Sequence, residues 1–248
     1  MLLQGKTAVI SGAASKRGIG LATARIFAGQ GARVAILDLD LNAAHEAASS
    51  LGTGHLALRC DVTDLNACKS AVGSAIEKLG GIDILINNAG ITQAVKTMEV
   101  DPKSWDRILD VNLRGVLYLS QAVIPHMRSR GRGSIACMSS VSVQRGGGII
   151  GGPHYSAAKA GVLGLAKAMA RELGPKNIHV VHLLIDAAVD SEAIHLRMKA
   201  AKGIEASDIP PDSLTKTTSI ADAYWFAHHQ AKDGWTFELD LRPSVEPW

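Results

Sequence analysis

A chain of 248 residues, 47% of them hydrophobic and 20% charged, can bury the core of one large domain and is too apolar to stay disordered. Its formal net charge of +3 is spread along the sequence and aromatic residues make up only 4%, so no basic footprint or stacking surface for nucleic acid is expected. No charged leader precedes an apolar core at the amino terminus and no stretch reaches about 18 uninterrupted apolar residues, which predicts a cytoplasmic protein without a membrane span.

Short β-branched or apolar runs alternate with longer helical patterns. The runs lie at 7–11, 33–38, 55–62, 82–88, 134–140, 178–185 and 236–241, and the helical patterns at 19–30, 41–51, 64–79, 101–128, 155–173 and 219–231. The runs are continuously apolar, as strands covered on both faces are. The expectation is a single α/β domain over 1–248, doubly wound in the Rossmann manner, with a seven-stranded, mainly parallel sheet and helices on both faces. Ser219 followed by Asp222 predicts a capped start for the last helix. The segment 186–218, with Pro, Asp, Lys and Ser, reads as a mobile substrate lid over the active-site edge of the sheet. Cys60, Cys68 and Cys137 lack metal-ligand spacing and read as reduced structural thiols, so no metal is expected.

The first run leads into Ser11-Gly12-Ala13-Ala14-Ser15-Lys16-Arg17-Gly18-Ile19-Gly20 and then a helix, the setting that a dinucleotide-binding turn requires. Glycines let the backbone approach a pyrophosphate closely, and the helix start offers unpaired N–H groups and a partial positive charge. Asp38 ends the second run, eighteen residues after Gly20. A carboxylate there accepts ribose hydroxyls and repels a 2′-phosphate, which favours NAD. Lys16 and Arg17 either argue for NADP or form a solvated loop tip, and Asp38 carries the greater weight.

Tyr155 and Lys159 stand four apart at the head of an Ala- and Gly-rich helical run, so both project from one face. A tyrosine, with a pKa of about 10, becomes a usable acid or base near neutral pH when a fixed cation favours its phenolate. Ser140 closes the fifth run fifteen residues before Tyr155, with Ser142 a competing hydroxyl.

To these are added Asp61 and Val62 after the third run, Asn87-Asn88-Ala89-Gly90 after the fourth, and Asn112 in a Asp110-Val111-Asn112-Leu113-Arg114-Gly115 stretch. In this order and spacing the motifs make residues 5–180 resemble the short-chain dehydrogenase/reductase family. The resemblance implies hydride transfer between a nicotinamide cofactor, NAD rather than NADP, and a secondary alcohol or ketone. Gly12, Arg17, Gly18, Ile19, Gly20 and Asp38 would bind that cofactor, with Asp61 and Val62 at the adenine and Asn88, Ala89 and Gly90 beneath the adenosine ribose. Tyr155 would be the general acid in reduction and the base in oxidation. Lys159 would hold the nicotinamide ribose and depress the tyrosine pKa, Ser140 would hydrogen-bond the substrate oxygen, and Asn112 would fix a water linking Lys159 to solvent. A homo-oligomer is implied too, a dimer or a homotetramer, meeting through the helices at 101–128 and 155–173. Two alternatives stay open. One is 3-oxoacyl reduction on an acyl carrier protein, with Arg130, Arg132 and Lys176 meeting the acidic carrier near the entrance. The other is a catalytically poor NAD-binding regulatory or assembly protein.

The chain departs from the family pattern in three places. One is the tail 233–248, which lacks the usual closing glycine pair, so that the carboxy-terminal third resembles an atypical subgroup of the family. Five residues separate Gly12 from Gly18 where most members have three, and the sixth run continues into Asp186-Ala187-Ala188-Val189-Asp190-Ser191 where an Asn and a Pro-Gly turn are usual. Asp186 reads as a solvated turn residue or a carboxamide contact, and Ser191 as a replacement hydroxyl. His154 reads as pocket wall or surface, and His228 and His229 as an ordinary partly buried face. Ile149 and Ile150 line an apolar pocket or anchor their loop. Trp225, Phe226, Trp235 and Phe237 read as core or subunit contacts.

Overall fold

Seven strands form one sheet: β1 (Thr7–Ser11), β2 (Arg33–Asp38), β3 (Leu56–Arg59), β4 (Ile84–Asn87), β5 (Gly133–Met138), β6 (Ile178–Ile185) and β7 (Glu238–Leu241). Their order is β3-β2-β1-β4-β5-β6-β7, and each neighbouring pair is parallel. The computed structural model describes residues 1–146, 151–191, 194–196, 198–199, 203, 205, 208–210 and 213–245. The readings for Ile149 and Ile150 fall outside these described residues.

Alternation of side chains along each strand explains why the runs are apolar throughout. Val9, Ala35 and Leu37 enter one core layer, while their neighbours Ala8, Ile10, Val34 and Ile36 enter the other. The first layer is closed by α3 (Leu65–Leu79), α5 (Gly115–Ser129) and α7 (Pro153–Leu173), through residues such as Val72, Leu119, Val123 and Val162. The second is closed by α1 (Ile19–Gly29), α2 (Leu41–Ser49) and α8 (Thr217–His228), through Leu21, Phe27, Ala44, Ile220 and Tyr224. Each such fully buried large side chain contributes about 1.5–3 kcal/mol, which is what holds helices to both faces. Asp40 and Asp64 accept hydrogen bonds from the first turns of α2 and α3 and start those helices.

The expected sheet is present, with corrections at element ends. The run 101–128 is not one helix: α4 (Pro102–Leu109) passes through a π-helical turn, Asp110–Arg114, into α5, and Asn112 lies buried in that turn. The last helix begins after Lys216, with Ser219 inside it instead of capping it. A one-turn helix, α6 (Ser142–Arg145), was not anticipated. Among the described residues no helix is long and apolar enough to cross a membrane.

Parallel strands bring all their carboxyl ends to one edge. Strand order reverses at β1, whose neighbours are β2 on one side and β4 on the other. The loops leaving β1 and β4 therefore diverge around a crevice, the place where open α/β sheets hold ligands.

Candidate active site

At that crevice Gly12 follows β1 with a backbone φ of 62°, and a Cβ on it would lie 2.7 Å from Ala89 Cα. Only glycine fits a left-handed turn so close to another backbone. Asn88 ties the two loops together: its Nδ2 donates to Ser11 O at 2.9 Å and to Gly12 O at 2.8 Å. Asp38 closes β2 and accepts from Ala14 N–H at 3.1 Å through Oδ2, so the glycine loop and the strand-two carboxylate form one rigid rim.

Below this rim is a cleft of about 600 Å³. It is lined by Gly12, Gly18, Ile19, Asp38, Asp61, Val62, Asn88, Ala89 and Gly90, so most of the predicted cofactor positions share one wall. Gly20 is buried beneath that wall, packed near Ala13 and Asn88. Sequence reading missed Thr92, Arg107, Met138, Val189 and Ile194, which also line it and whose residue types carry no signal of their own. Val189, Ser191 and Ile194, from the segment that follows β6, line the same cleft.

Arg17 is at the loop tip but is not merely solvated: its Nη2 donates to Asp190 Oδ1 at 2.8 Å, and His195 Nε2 reaches the same oxygen at 2.7 Å. The His195 hydrogen bond, and after it the Arg17 charge, hold the Asp190 carboxyl below its ordinary range. Lys16 pairs with Glu46 at 3.3 Å, both exposed.

Behind Gly90 and Met138 lie Tyr155, Lys159 and Asn112. Tyr155 and Lys159 leave the first turns of α7 and both are buried, at 7% and 2% exposure. Lys159 Nζ stands 5.6 Å from the Tyr155 ring centre and donates to Met138 O at 2.9 Å. Burial pulls its pKa from 10.5 down to about 8, which still leaves the amine mostly charged at neutral pH. A Cβ on Gly90 would stand 2.8 Å from Asn112 Oδ1 and 3.8 Å from Lys159 Nζ, so Asn112 and Lys159 converge behind that glycine. Asn112 Nδ2 donates to Ile91 O at 2.8 Å and Ile108 O at 2.9 Å, and its Oδ1 has no hydrogen-bond partner among the described residues. Ser140 and Ser142 are both buried, and Ser142 N–H donates to Ser140 Oγ at 3.3 Å.

Other expectations are revised. Asp186 is not a solvated turn residue: it is 1% exposed and paired with Arg145 and Arg242. His154 is fully buried, its Nε2 donating to Gln93 Oε1 at 3.3 Å. Arg130 and Arg132 precede β5, at the opposite end of the sheet from the cleft, where both approach Asp83. Lys176 likewise precedes β6, so the expected carrier contact at the entrance is not formed by these three. The three cysteines are free and buried, as expected, and no three His, Cys, Asp or Glu side chains among the described residues are grouped to hold a metal.

The family model for short chain dehydrogenase matches residues 6–193. The chain belongs to the short-chain dehydrogenase family. It is 55% identical over 235 residues to an uncharacterized short-chain type dehydrogenase/reductase, y4mP, of Sinorhizobium fredii, covering 91% of each chain. It is 38% identical over 193 residues to a sorbitol dehydrogenase of Cereibacter sphaeroides, covering 77% of this chain and 73% of that one. A crystal structure of a 3-ketoacyl-(acyl-carrier-protein) reductase from Brucella melitensis, complexed with NADH, superposes with a TM-score of 0.85 at 34% identity, over 96% of this chain and 97% of the other. As a short-chain dehydrogenase the protein is an oxidoreductase, and its chemistry is hydride transfer with a nicotinamide cofactor. The glycine cradle, the Asp38 rim and the cleft volume suit a dinucleotide bound across the strand reversal.

Proposed function

We propose that the protein is an NAD(H)-dependent dehydrogenase of small secondary alcohols, working in reverse as a ketone reductase. The observation that carries the reading is the buried Tyr155–Lys159 pair directly behind the cleft wall at Met138 and Gly90. The nicotinamide, when bound, supplies or accepts the hydride. Tyr155 gives its phenolic proton to the substrate oxygen in reduction and takes it back in oxidation. Lys159 favours the phenolate by its nearby charge, and its bond to Met138 O keeps the ammonium fixed while it does so. Ser140 donates a hydrogen bond to the same substrate oxygen and stabilises the charge that develops there. Asn112, anchored by Ile91 and Ile108, leaves Oδ1 to hold a water that relays protons to Lys159.

Gly12, Gly18, Ile19, Gly20, Asp61, Val62, Asn88, Ala89 and Gly90 bind the dinucleotide in this reading, and Asp38 selects NAD. Arg17 acts from the lid side, through Asp190. An apolar groove of about 330 Å³ between the π-turn, α5 and α7, lined by Leu109, Leu113, Leu117 and Leu165, supports a dimer or tetramer closing over it. A cytoplasmic setting suits the three free thiols. The second reading, reduction of a 3-oxoacyl group on a carrier protein, draws on the likeness to the Brucella reductase across nearly the whole chain.

The test is direct. The protein is mixed with NAD and a panel of secondary alcohols and polyols, and the absorbance of reduced nicotinamide is followed. Turnover is expected, and Tyr155→Phe is expected to lower kcat by about 100-fold or more while cofactor Kd is unchanged. A Tyr155→Phe enzyme with parental kcat defeats the mechanism, and turnover confined to 3-oxoacyl thioesters selects the second reading.

A further inference from the structure

Three strands of the sheet end in a charged knot. Arg145 closes α6, the turn after β5; Asp186 follows β6; Arg242 follows β7. The Asp186 carboxylate accepts from Arg145 Nη2 at 3.0 Å and from Arg242 Nη2, while its own N–H donates to Leu241 O at 2.8 Å. A carboxylate 1% exposed loses its hydration, and only opposite charge with well-placed hydrogen bonds replaces it. Two guanidiniums on one buried carboxylate are therefore a built cluster, of the kind that Arg130 and Arg132 form on buried Asp83 at the opposite end of the sheet.

The cluster touches the reacting end of the molecule through α6. Four residues make no stable helix alone, because nucleation costs more than one turn of hydrogen bonds returns. This turn is instead hung at both ends. At its start, Val143 N–H donates to Ser140 O at 3.1 Å, Ser142 N–H to Ser140 Oγ at 3.3 Å, and Val141 N–H to Ile185 O at 2.9 Å, beside Asp186. At its finish, the Arg145 side chain reaches Asp186 itself. The segment from Ser140 to Arg145 is thus a short bridge pinned to the exit of β6 at two points. A Pro-Gly turn, expected at this exit, is stiff by covalent geometry. Asp186-Ala187-Ala188 is not.

We propose that Asp186 is a positioning residue: through Arg145, with Arg242 supplying the second cation, it holds the 140–145 turn and so keeps the Ser140 hydroxyl aligned with Tyr155 and Lys159. This rests on the role given to Ser140 above, so its test carries one arm that needs no turnover. Arg145→Gln leaves the Arg242–Asp186 pair in place and spares the fold; Arg145→Lys keeps the charge but loses the planar fork. Amide hydrogen exchange over residues 141–145 is expected to rise about tenfold or more in Arg145→Gln and less in Arg145→Lys, with β6 as protected as in the parent. In the same variants kcat is expected to fall about tenfold and to recover partly in Arg145→Lys, with cofactor Kd unchanged. Unchanged exchange in Arg145→Gln overturns the clamp, equal exchange in the Lys and Gln variants overturns its ionic character, and raised exchange with parental kcat overturns the link to Ser140. A parent without turnover on any alcohol or ketone defeats the functional reading alone, and the exchange arm then decides the clamp.

Discussion

The Lys159 ammonium stands 5.6 Å from the centre of the Tyr155 ring, and both side chains are buried. The sheet places a cation where a cation is costly. With its pKa drawn from 10.5 to about 8 by burial, Lys159 binds its proton less readily in the folded protein than in the unfolded chain. Between those two values the unfolded chain carries the extra proton, so stability attributable to this group rises with pH through that window. Below about pH 8 the full cost is present, about 3 kcal/mol.

Lys159→Met removes that cost together with one bond to Met138 O. The variant is expected to be about 2 kcal/mol more stable than the parent at pH 7, with the advantage shrinking as pH approaches 10.5, while turnover is lost. Urea unfolding of both proteins at several pH values measures this. A Met variant less stable at pH 7 than the parent contradicts the burial argument.

Gly12→Ala forces a side chain into a left-handed φ of 62° and against the Ala89 backbone at 2.7 Å. The expected result is about 1–3 kcal/mol of lost stability and at least a roughly tenfold weaker cofactor Kd, since loop and cleft floor must separate. Thermal melts and a nicotinamide-fluorescence titration read the two effects. A variant that binds NADH as the parent does shows that the loop is not the cradle.

His228 answers to acid. Burial first, then the nearby rings of His179 and His229, push its pKa down to about 3, and its Nδ1 lies against Ser134 Oγ. A histidine that resists protonation when folded makes the unfolded chain the better proton acceptor below about pH 6.5. Stability is therefore expected to fall as pH drops from there towards 3, by roughly 5 kcal/mol from this group, and His228→Gln is expected to flatten that decline. Parallel acid-induced slopes for the two proteins rule the assignment out.

What could be read from the sequence, and what could not, follows from how local the cause is. The strands were legible because β1, β2, β4 and β6 are apolar on both faces, and the glycine loop because its turn needs those residues whatever surrounds it. The break between α4 and α5 was hidden, since one extra residue per turn at Asp110–Arg114 leaves the run of helical residues unbroken. Asp186 was misread because an acid after an apolar strand looks like an exit to water, and its partners Arg145 and Arg242 lie 41 and 56 residues away along the chain. Thr92, Val189 and Ile194 enter the cleft by topology alone.

The choice between NAD and NADP turns on Asp38 and on what Arg17 is free to do. Asp38 is held at the cleft rim by Ala14 N–H, where in the proposed reading its carboxylate repels a 2′-phosphate, while Arg17, a cation on the same loop, is engaged by Asp190. The Arg17–Asp190 pair is half-exposed, with side chains 55% and 39% accessible, so it is worth at most about 1 kcal/mol. Asp190→Asn is accordingly expected to tighten NADPH binding by about threefold to fivefold by releasing the guanidinium, and to loosen NADH slightly as the segment after β6 loses its tie to the glycine loop. Asp38→Ala is expected to act more strongly, narrowing the NADH-over-NADPH preference by about tenfold or more, because it removes a repulsion and two acceptors together. Titrating both cofactors into the parent and each variant gives the ratios. A parent that already binds NADPH more tightly reverses the assignment of Asp38, and an Asp190→Asn ratio equal to the parent's shows that Arg17 stays out of reach of the ribose even when released.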